Sequence, residues 1–430
     1  MLSKLRHVLA TADRATLGTI VAGMLAQLGL VVSGIIAARA LGPSDRGYLA
    51  AFQAIAVAGS FIFALGVPVA IAYYVARDER IARDSVGRLR KIIGIQLFAA
   101  VLIPAIVFLT VFADDPSHAQ EAAWLTLPLT AAMLIAMYAT SYLQGMQRFL
   151  AYNLFRTIPI PIYGLALVML VLIGLDDLLE FAVAYTVIVS AVAVLGMVIV
   201  WRWLPPEGSE DVPASKFLSY GLKGQIGSVS PLETFQVDYL VVGALAGPYW
   251  LGLYAGAMAF TNLPRFVAMG IGVVAFPRVA AARGTDHAVR SAIDAVALIT
   301  AFAAFVVIFL ELIVGWLIPF LFGDAFESSV PLARVLLISA LLLSIRRVVG
   351  DVMRGGGAPL PSTSAEVLSW VVYGALVVPL VHKHGALGAA WAMTAAAAVS
   401  TIYLSYLASQ MLKRIRLTEP DGGGPEDAPS

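Results

Sequence analysis

The chain contains no cysteine and few charged residues, and both shortages limit what it can be. Without cysteine among its 430 residues, disulfide bonds and thiolate metal sites are excluded. Charged residues make up 13% of the sequence, whereas soluble domains carry about 25%. The net charge of +1 argues against a nucleic-acid partner. Hydrophobic residues account for 60% of the chain, which is more than a soluble core requires, so the composition predicts membrane spans.

Twelve apolar segments are each long enough to cross a membrane, which takes about 20 residues. Backbone groups in lipid must be hydrogen-bonded internally, and these runs lack the alternation of a β-barrel, so we predict helices. The sequence therefore predicts an all-α polytopic membrane protein. Its spans 1 to 12 cover approximately residues 15–40, 47–75, 90–113, 121–146, 151–174, 179–203, 217–246, 250–280, 291–322, 328–354, 361–382 and 386–411.

Basic and acidic residues alternate between successive connections, and this alternation orients the predicted bundle. The basic side holds Arg77, Arg80, Arg83, Arg88, Arg90, Lys91, Arg148, Arg202, Lys216, Arg278, Arg283 and Arg290. The acidic side holds Asp114, Asp115, Glu121, Asp176, Asp177, Glu180, Asp324 and Glu327, with Arg46 and Lys383 as exceptions. We expect both termini in the cytoplasm, with residues 1–14 forming an amphipathic lead-in and residues 412–430 a disordered tail.

Two connections share one motif, and the shared motif indicates an internal repeat. In "ALGPSDRGYLAAF" and "ALAGPYWLGLYAGA", Gly42, Pro43, Gly47 and Ala50 correspond to Gly247, Pro248, Gly252 and Ala255 at a constant offset of 205 positions. "LQGMQRF" and "VMRGGGAP" correspond at a similar offset. Because six spans separate each pair, we predict a parallel repeat of two six-helix lobes, residues 15–205 and 206–411. Each motif predicts a helix stop at its first glycine and a restart after the proline.

Spans 7 and 8 carry ionisable residues at membrane depth, where such residues usually face a cavity or a partner. If span 7 were one continuous helix, Lys223 and Asp238 would lie within about 80° of each other, with Glu233 flanking that face. Span 8 carries Asn262 and Arg265, and the guanidinium fork of Arg265 suits a phosphate or a carboxylate. Two interpretations stay open for these residues: a polar path that contacts an anionic ligand, or internal ion pairs of Glu233 or Asp238 with Arg265.

Other charged residues in the spans have simpler explanations. Arg39 and Arg156 are weaker candidates for ligand contact, and Arg347 lies one helical turn from Asp351, which favours an ion pair. Glu311 has no evident partner in the sequence.

Nothing in the sequence points to catalysis. Gly42 and Gly47 have the spacing of a phosphate-binding loop, but its lysine and its serine or threonine are missing. The sequence shows no catalytic constellation, and the connections between spans are too short to fold as domains. We therefore expect no enzyme activity, no cofactor and no metal site.

Three stretches resemble the Wzx-type polysaccharide flippases of the multidrug/oligosaccharidyl-lipid/polysaccharide (MOP) exporter superfamily. They are "ARALGPSDRGYLAAFQAIAVAGSFIFALGVPVAIAYYVARD", "FQVDYLVVGALAGPYWLGLYAGAMAFTNLPRFVAMGIGVVAFPRVAA" and "FGDAFESSVPLARVLLISALLLSIRRVVGDVMRGGGAP". Asp238 stands where such sequences commonly carry an aspartate late in span 7. The resemblance covers most of the chain.

The resemblance implies a bacterial inner-membrane protein that exports an undecaprenyl-pyrophosphate-linked oligosaccharide by alternating access. The substrate would contact Arg265, Lys223, Asn262, Arg156 and Arg39, while Glu233 and Asp238 would pair with cations or carry a coupling ion. Glycosyltransferases or a polymerase of the same pathway are the implied protein partners.

Two other functions remain open at this stage. A MATE-type drug or cation antiporter would use Glu233 and Asp238 to bind H⁺, Na⁺ or a cationic drug. A scaffold for cell-wall enzymes that has lost transport would need none of these charges.

Overall fold

A computed structural model describes residues 14–111, 116–208, 212–228, 236–262, 264, 285–355, 358 and 360–418. In these ranges the regular structure is helical and contains no β-strand. The helices are α1 (Arg14–Ala64), α2 (Val67–Arg77), α3 (Ile81–Val111), α4 (Ser117–Trp124), α5 (Thr126–Gly145), α6 (Phe149–Thr157), α7 (Pro159–Leu172), α8 (Leu178–Trp203), α9 (Ala214–Ser228), α10 (Val237–Ala246), α11 (248–262), α12 (Thr285–Phe322), α13 (Val330–Gly355), α14 (Leu360–His384) and α15 (Ala386–Thr418), with a 3-10 helix at Asp324–Ser329.

Long apolar helices dominate the described residues. Nine segments within them are long and apolar enough to cross a membrane, and two shorter apolar helices, α2 and α10, accompany them. The predicted count of twelve spans differs from nine because span 1 and most of span 2 form one kinked helix, α1, and because spans 7 and 8 are described only in part. A helix closes all its backbone hydrogen bonds within itself, which is why uninterrupted apolar sequence adopts this form in lipid.

Span 2 was predicted as one helix, and this prediction is wrong. Leu65 and Gly66 take positive φ angles of 47° and 67°, so the helix stops at Ala64 and restarts as α2 at Val67. The buried Gln96 of α3 donates its Nε2 to the carbonyl oxygen of Ala64 at 3.1 Å. Tyr138 of α5 in turn donates its hydroxyl to Gln96. A carbonyl freed by the break in an apolar environment is thereby satisfied by a side chain.

Span 7 does not follow one regular helix either. Gln236 adopts the left-handed conformation, with φ 49° and ψ 41°, and α10 begins only at Val237. A left-handed residue interrupts the regular advance of about 100° per residue on which the helical-face argument depended. The argument that Lys223 and Asp238 share one helical face therefore does not hold.

The described residues divide into two compact units. The first unit contains those of Met1–Ala259, with Gly315–Leu332 and His384–Ala389. Its largest core centres on α5, where Tyr138, Tyr142 and Leu134 are almost fully buried. A second core joins α1, α7 and α8 through Tyr48, Tyr163 and Phe181.

The second unit contains the described residues of Phe260–Val314, Ala333–Lys383 and Ala390–Ser430. Buried side chains of α12 and α13 meet in one cluster. Another cluster joins α13 with α14 and α15. The boundary between the two lobes at residues 205 and 206 stays a prediction.

The two repeat motifs have matching backbone conformations. Gly42 breaks α1 with φ 69° and ψ −179°, and Gly247 separates α10 from α11 with φ 86° and ψ 172°. A positive φ of this kind is adopted readily only by glycine, which accounts for the glycine in both motifs. In both motifs the helix restarts at the following proline, as the sequence predicted.

Within the first unit, the two motifs also touch each other reciprocally. A Cβ atom on Gly47 would lie 1.8 Å from the carbonyl oxygen of Pro248, and one on Gly252 would lie 1.8 Å from that of Pro43. Neither distance is possible for a real carbon atom, so only glycine permits this backbone-to-backbone contact. The equality of the two distances indicates a local pseudo-twofold relationship between the starts of spans 2 and 8.

A second contact between the sequence halves lies at the break in span 2. A Cβ atom on Gly66 would lie 1.9 Å from the carbonyl oxygen of Gly221 in α9. Beside it, the rings of Tyr73 and Tyr220 stack with centroids 4.2 Å apart. The buried Phe217 packs against Tyr74, with centroids 5.0 Å apart, and the Tyr74 ring lies 5.6 Å from that of Tyr220. Close packing thus joins α2 to α9 through backbone and aromatic rings together.

Candidate functional site

Among the predicted site residues that the structure describes, only Asp238 lies fully inside the protein. It is 2% exposed and lies in the first turn of α10, where the helix dipole favours a negative charge. The hydroxyl of Tyr254 in α11 donates to its Oδ2 at 3.1 Å. Both residues belong to the first unit. A carboxylate at this depth needs such donors, so the Tyr254 bond accounts for part of its stability there.

Aromatic side chains extend this polar centre toward the first sequence half. The ring of Tyr239 meets that of Tyr254 edge-on, with centroids 5.7 Å apart. The Arg46 guanidinium lies within electrostatic range of the hydroxyls of Tyr239 and of Tyr163 in α7. We call Arg46, Tyr163, Asp238, Tyr239 and Tyr254 the tyrosine cluster. It brings side chains from spans 5, 7 and 8 together with one from the connection before span 2, at the predicted outer end of the first unit.

Two polar atoms of the tyrosine cluster are enclosed without a hydrogen-bond partner among the described residues. They are Nη1 of Arg46 and the hydroxyl oxygen of Tyr163. The adjacent Asp45 pairs instead with His118, whose Nε2 lies 3.2 Å away. An enclosed donor without an acceptor is unusual in folded proteins and costly, so these two atoms mark a position where an anion would be favourable.

Sequence reasoning singled out neither Arg46 nor Tyr163 as a site residue. Arg46 was noted only as a basic residue on the predicted acidic side. That exception was the available signal. A lone arginine among connections that otherwise carry acids indicates a specific partner or role for its charge. Tyr163 carried no signal, since a tyrosine in an apolar span is common in a protein core.

Arg39 has a structural partner in the described residues. Its Nε donates to the carbonyl oxygen of Leu321 at 2.7 Å, and its Nη2 donates to that of Phe320. Both carbonyls lie in the last turn of α12, where carbonyl groups lack intrahelical partners. Arg39 therefore caps this helix end and offsets the negative end of its dipole.

Arg156 and Lys223, two further predicted contacts, are both exposed. Arg156 donates to the hydroxyl of Tyr152 at 3.0 Å, and its guanidinium lies 5.5 Å from the centre of that ring. Lys223 lies in α9, close along the chain to the Tyr220 stack. The structure places neither residue in the tyrosine cluster.

Of the three remaining predicted site residues, the structure describes one. Asn262 is half-buried in α11, in the second unit. Arg265 and Glu233 lie outside the described residues. The predicted ion pairing of Glu233 or Asp238 with Arg265 therefore stays a prediction.

The second unit contains charged pairs within its long apolar helices. Arg346 Nη2 lies 3.0 Å from Glu366 Oε2, and its Nη1 donates to Ser400 Oγ at 3.3 Å. The expected pair of Arg347 with Asp351 is present at 3.6 Å.

Glu311 has a partner that the sequence did not reveal. Arg334 Nε lies 3.9 Å from its Oε2, and the two residues are 23 positions apart on different helices. Helical spacing within one span could not show this pair, because the two side chains meet only when α12 packs near α13.

One family matches the chain over more than half its length. The sequence profile of a family described as "Polysaccharide biosynthesis protein" matches residues 14–283. None of the curated proteins compared with the chain is significantly similar to it in sequence.

Several solved structures share the fold. An inward-facing multidrug resistance MATE family transporter of the MOP superfamily has a TM-score of 0.71 and 15% identity, covering 94% of this chain and 100% of its own. The lipid II flippase MurJ, in an inward closed conformation, has a TM-score of 0.71 and 13% identity, with coverages of 93% and 90%. A MOP superfamily transporter from Pyrococcus furiosus, described as having a binding pocket of reverse polarity, has a TM-score of 0.62 and 14% identity, with coverages of 94% and 95%.

Identities this low show the fold alone, and the fold is that of the MOP transporters. The predicted fold class, an all-α polytopic membrane protein built like these two-lobed transporters, is confirmed. The resemblance stated from the sequence motifs is confirmed as well.

Proposed function

The chain belongs to the polysaccharide biosynthesis protein family, and on that premise we propose that it is a lipid-linked oligosaccharide flippase. Its substrate would be an oligosaccharide carried on undecaprenyl pyrophosphate. It would move this substrate from the cytoplasmic to the outer leaflet of the bacterial inner membrane, for cell-surface polysaccharide biosynthesis. Both termini would lie in the cytoplasm, as the distribution of basic residues predicts.

The family match is the observation that carries this proposal, and the chemistry of the substrate fits the residues available. A diphosphate is a multiply charged anion, and its passage through a low-dielectric interior requires fixed cations. Lys223 and Arg265 lie in spans 7 and 8, and the arginine fork matches phosphate oxygens well. Asn262 can donate hydrogen bonds to sugar or phosphate.

The acids of span 7 would balance these cations between transport events. Asp238 is buried and accepts a hydrogen bond from Tyr254. Its carboxylate is therefore held in one position. A carboxylate in this place lowers the cost of a nearby cation when no diphosphate is present. Glu233 would act in the same way or carry a coupling ion.

Translocation would follow alternating access of the two repeat-related lobes. The polyprenyl tail would remain in the bilayer while the diphosphate and glycan pass through the protein interior. Contacts such as that of Gly47 with Pro248 would have to open on the side from which the headgroup leaves. Rocking of packed helices about a fixed site is the common route for transporters built from repeats.

The buried carboxylate of Asp238 favours one second candidate function. A 2%-exposed aspartate within a span is also what a proton- or sodium-coupled antiporter would require. A MATE-type drug or cation antiporter is therefore the alternative, with Asp238 and Glu233 as the ion-binding groups.

Reconstitution tests the leading proposal. The full chain would be placed in liposomes with a fluorescent undecaprenyl-pyrophosphate oligosaccharide, and the fraction reaching the opposite leaflet would be measured by quenching. The double variant Lys223→Gln with Arg265→Gln should lose transport while remaining in the membrane. Arg334→Gln, an exposed cation in a weak ion pair, is the matched control.

The outcomes separate the two candidates. Wild-type export by the double variant would contradict the assignment of Lys223 and Arg265. Drug efflux that depends on a proton or sodium gradient, with no glycan movement, would support the antiporter instead.

A further inference from the structure

One feature of the first unit that its packing does not explain is Arg46. It lies in the first turn after the helix restarts at Pro43, at the end of the bundle where the sequence otherwise places acids. The residue as a whole is half-buried, and its Nη1 is enclosed without a hydrogen-bond partner in the described part of the chain. A guanidinium is never neutral under ordinary conditions, so enclosing it without an acceptor is unfavourable.

Tyr163 carries a second enclosed polar atom near Arg46. It is 5% exposed in α7, its hydroxyl oxygen is enclosed, and that hydroxyl also lacks a partner among the described residues. The Arg46 guanidinium and the Tyr163 hydroxyl lie within electrostatic range of each other. Two enclosed hydrogen-bond donors therefore lie near each other, while the carboxylate of the adjacent Asp45 is paired with His118.

We propose that Arg46 and Tyr163 form an oxyanion subsite that holds a phosphate oxygen of the diphosphate headgroup at the release side of the membrane. The proposal rests on the proposed function for its substrate, and on the two enclosed donors for its position. Arginine binds phosphate oxygens through charge-assisted hydrogen bonds, and a phenol hydroxyl adds a second donor. The subsite would be separate from Lys223, which belongs to α9 and is exposed.

The repeat explains why only one such subsite exists in the pair of motifs. At the offset of 205 positions, the counterpart of Arg46 is Leu251, which is fully buried in the apolar interior. The backbone of the two motifs is alike, but the charge is present on one side only. A transporter that releases one headgroup at a time requires one oxyanion site at its exit. The motif that contains Arg46 provides that site, and the motif that contains Leu251 does not.

The position of Arg46 couples the subsite to separation of the two motifs at the outer side of the protein. Arg46 immediately precedes Gly47, whose backbone presses against Pro248 across the pseudo-twofold contact. Nη1 of Arg46 and the Tyr163 hydroxyl are enclosed while that contact is made. Separation of the outer ends of spans 2 and 8 would uncover both donors together, so the headgroup would engage them as the outer side opens.

Direct binding tests the subsite. The full chain in lipid nanodiscs would be titrated with undecaprenyl diphosphate and, separately, with inorganic pyrophosphate. Arg46→Gln should weaken binding of the lipid diphosphate by about tenfold, the loss of roughly one charge-assisted hydrogen bond. Tyr163→Phe should weaken it by about threefold to tenfold, and Arg46→Lys should retain part of the affinity because it keeps the charge without the fork.

Two exposed residues supply matched controls. Arg202→Gln removes an exposed arginine from the end of α8, and Tyr249→Phe removes a hydroxyl from an exposed tyrosine. Both should bind as the wild type does. Competition by inorganic pyrophosphate at equal concentration would identify free phosphate as the ligand of the subsite, and its failure to compete would identify the lipid headgroup.

Wild-type affinity of Arg46→Gln and Tyr163→Phe for both probes would overturn the proposal. If Arg46→Gln did not fold, unchanged affinity of Tyr163→Phe together with Arg46→Lys would overturn it equally. Failure of the subsite and failure of the proposed function are distinguishable. Arg46-dependent diphosphate binding without glycan transport would contradict only the function, and transport with Arg46-independent binding would contradict only the subsite.

Discussion

Gly47 and Gly252 pack against each other's motif with no room for a side chain on either. The Cβ that alanine would add to Gly47 falls 1.8 Å from the Pro248 carbonyl oxygen, and the one added to Gly252 falls 1.8 Å from that of Pro43. The two glycines are counterparts in the sequence repeat, so the same contact is made from both sides. It holds the starts of spans 2 and 8 in direct backbone contact.

Alanine at either glycine should therefore force the two helices apart. Gly47→Ala and Gly252→Ala should each destabilise the protein by about 1–3 kcal/mol, the usual cost of overpacking. Thermal unfolding in detergent would measure the loss. Gly34→Ala is the matched control, because no atom lies within 4 Å of the added Cβ in α1. It should be neutral or stabilising by up to about 1 kcal/mol. Equal stabilities of all three variants would refute the close contact.

The bond between Tyr254 and Asp238 should be measurable as a coupling. Tyr254→Phe removes the donor from a carboxylate that is 2% exposed, so we expect a loss of about 1–3 kcal/mol. In a double-mutant cycle with Asp238→Ala, the two losses should not add, because both remove the same hydrogen bond. Tyr249→Phe, at an exposed ring, should cost almost nothing. Strict additivity of Tyr254→Phe and Asp238→Ala would contradict the bond.

The pair of Arg346 and Glu366 should contribute far more than the pair of Arg334 and Glu311. The Arg346 side chain is 8% exposed and that of Glu366 is 21% exposed. Replacing Arg346 alone with Gln leaves a largely buried carboxylate and should cost about 3–5 kcal/mol. The Arg334 side chain is 56% exposed, and Arg334→Gln should cost less than about 1 kcal/mol.

A second substitution makes this comparison sharper. Adding Glu366→Gln to Arg346→Gln should recover part of the stability, since the uncompensated charge is then removed. Thermal unfolding of the three variants provides the test. If the double variant is less stable than Arg346→Gln by as much as Glu366→Gln alone destabilises the wild type, the two residues are not coupled.

The absence of cysteine makes the predicted orientation directly testable. Ser117 and Ser215 are exposed at opposite predicted sides of the membrane, at the starts of α4 and α9. In spheroplasts, a membrane-impermeant maleimide should label Ser117→Cys, and it should label Ser215→Cys only after the membrane is opened. No other thiol in the chain competes for the reagent. The reverse labelling pattern would place the termini outside the cytoplasm.

Features that depend on neighbouring residues along the chain could be predicted from the sequence. The stops at Gly42 and Gly247 and the restarts at the next proline follow from local backbone preferences, and the structure has both. The break at Gly66 carried a similar signal, because Pro68 follows it closely. The apolar run from 47 to 75 is nevertheless long enough for one span, so hydropathy alone does not reveal the break.

Contacts between residues far apart in the chain could not be predicted in this way. Arg39 was proposed as a ligand contact, and only the folded chain places it against the carbonyls at the end of α12. Glu311 lacked a partner until α13 brought Arg334 near it. Side-chain partners of this kind depend on how helices pack, and apolar helices in lipid offer many packings of similar hydrophobicity.

By itself the sequence determined the membrane environment, the helical class and the repeat. Hydropathy, the hydrogen bonding of the backbone within a helix and the spacing of motifs are local or periodic properties of the chain. The tertiary structure alone decided which charges are satisfied and which are not. Asp238 was visible in the sequence, but its bond to Tyr254 was not. Arg46 was an exception to a charge pattern, and it became a candidate site only when the fold enclosed its Nη1 near Tyr163, with no hydrogen-bond partner for that atom among the described residues. The energy of a buried charge is set by its three-dimensional surroundings, which the order of residues along one helix does not contain.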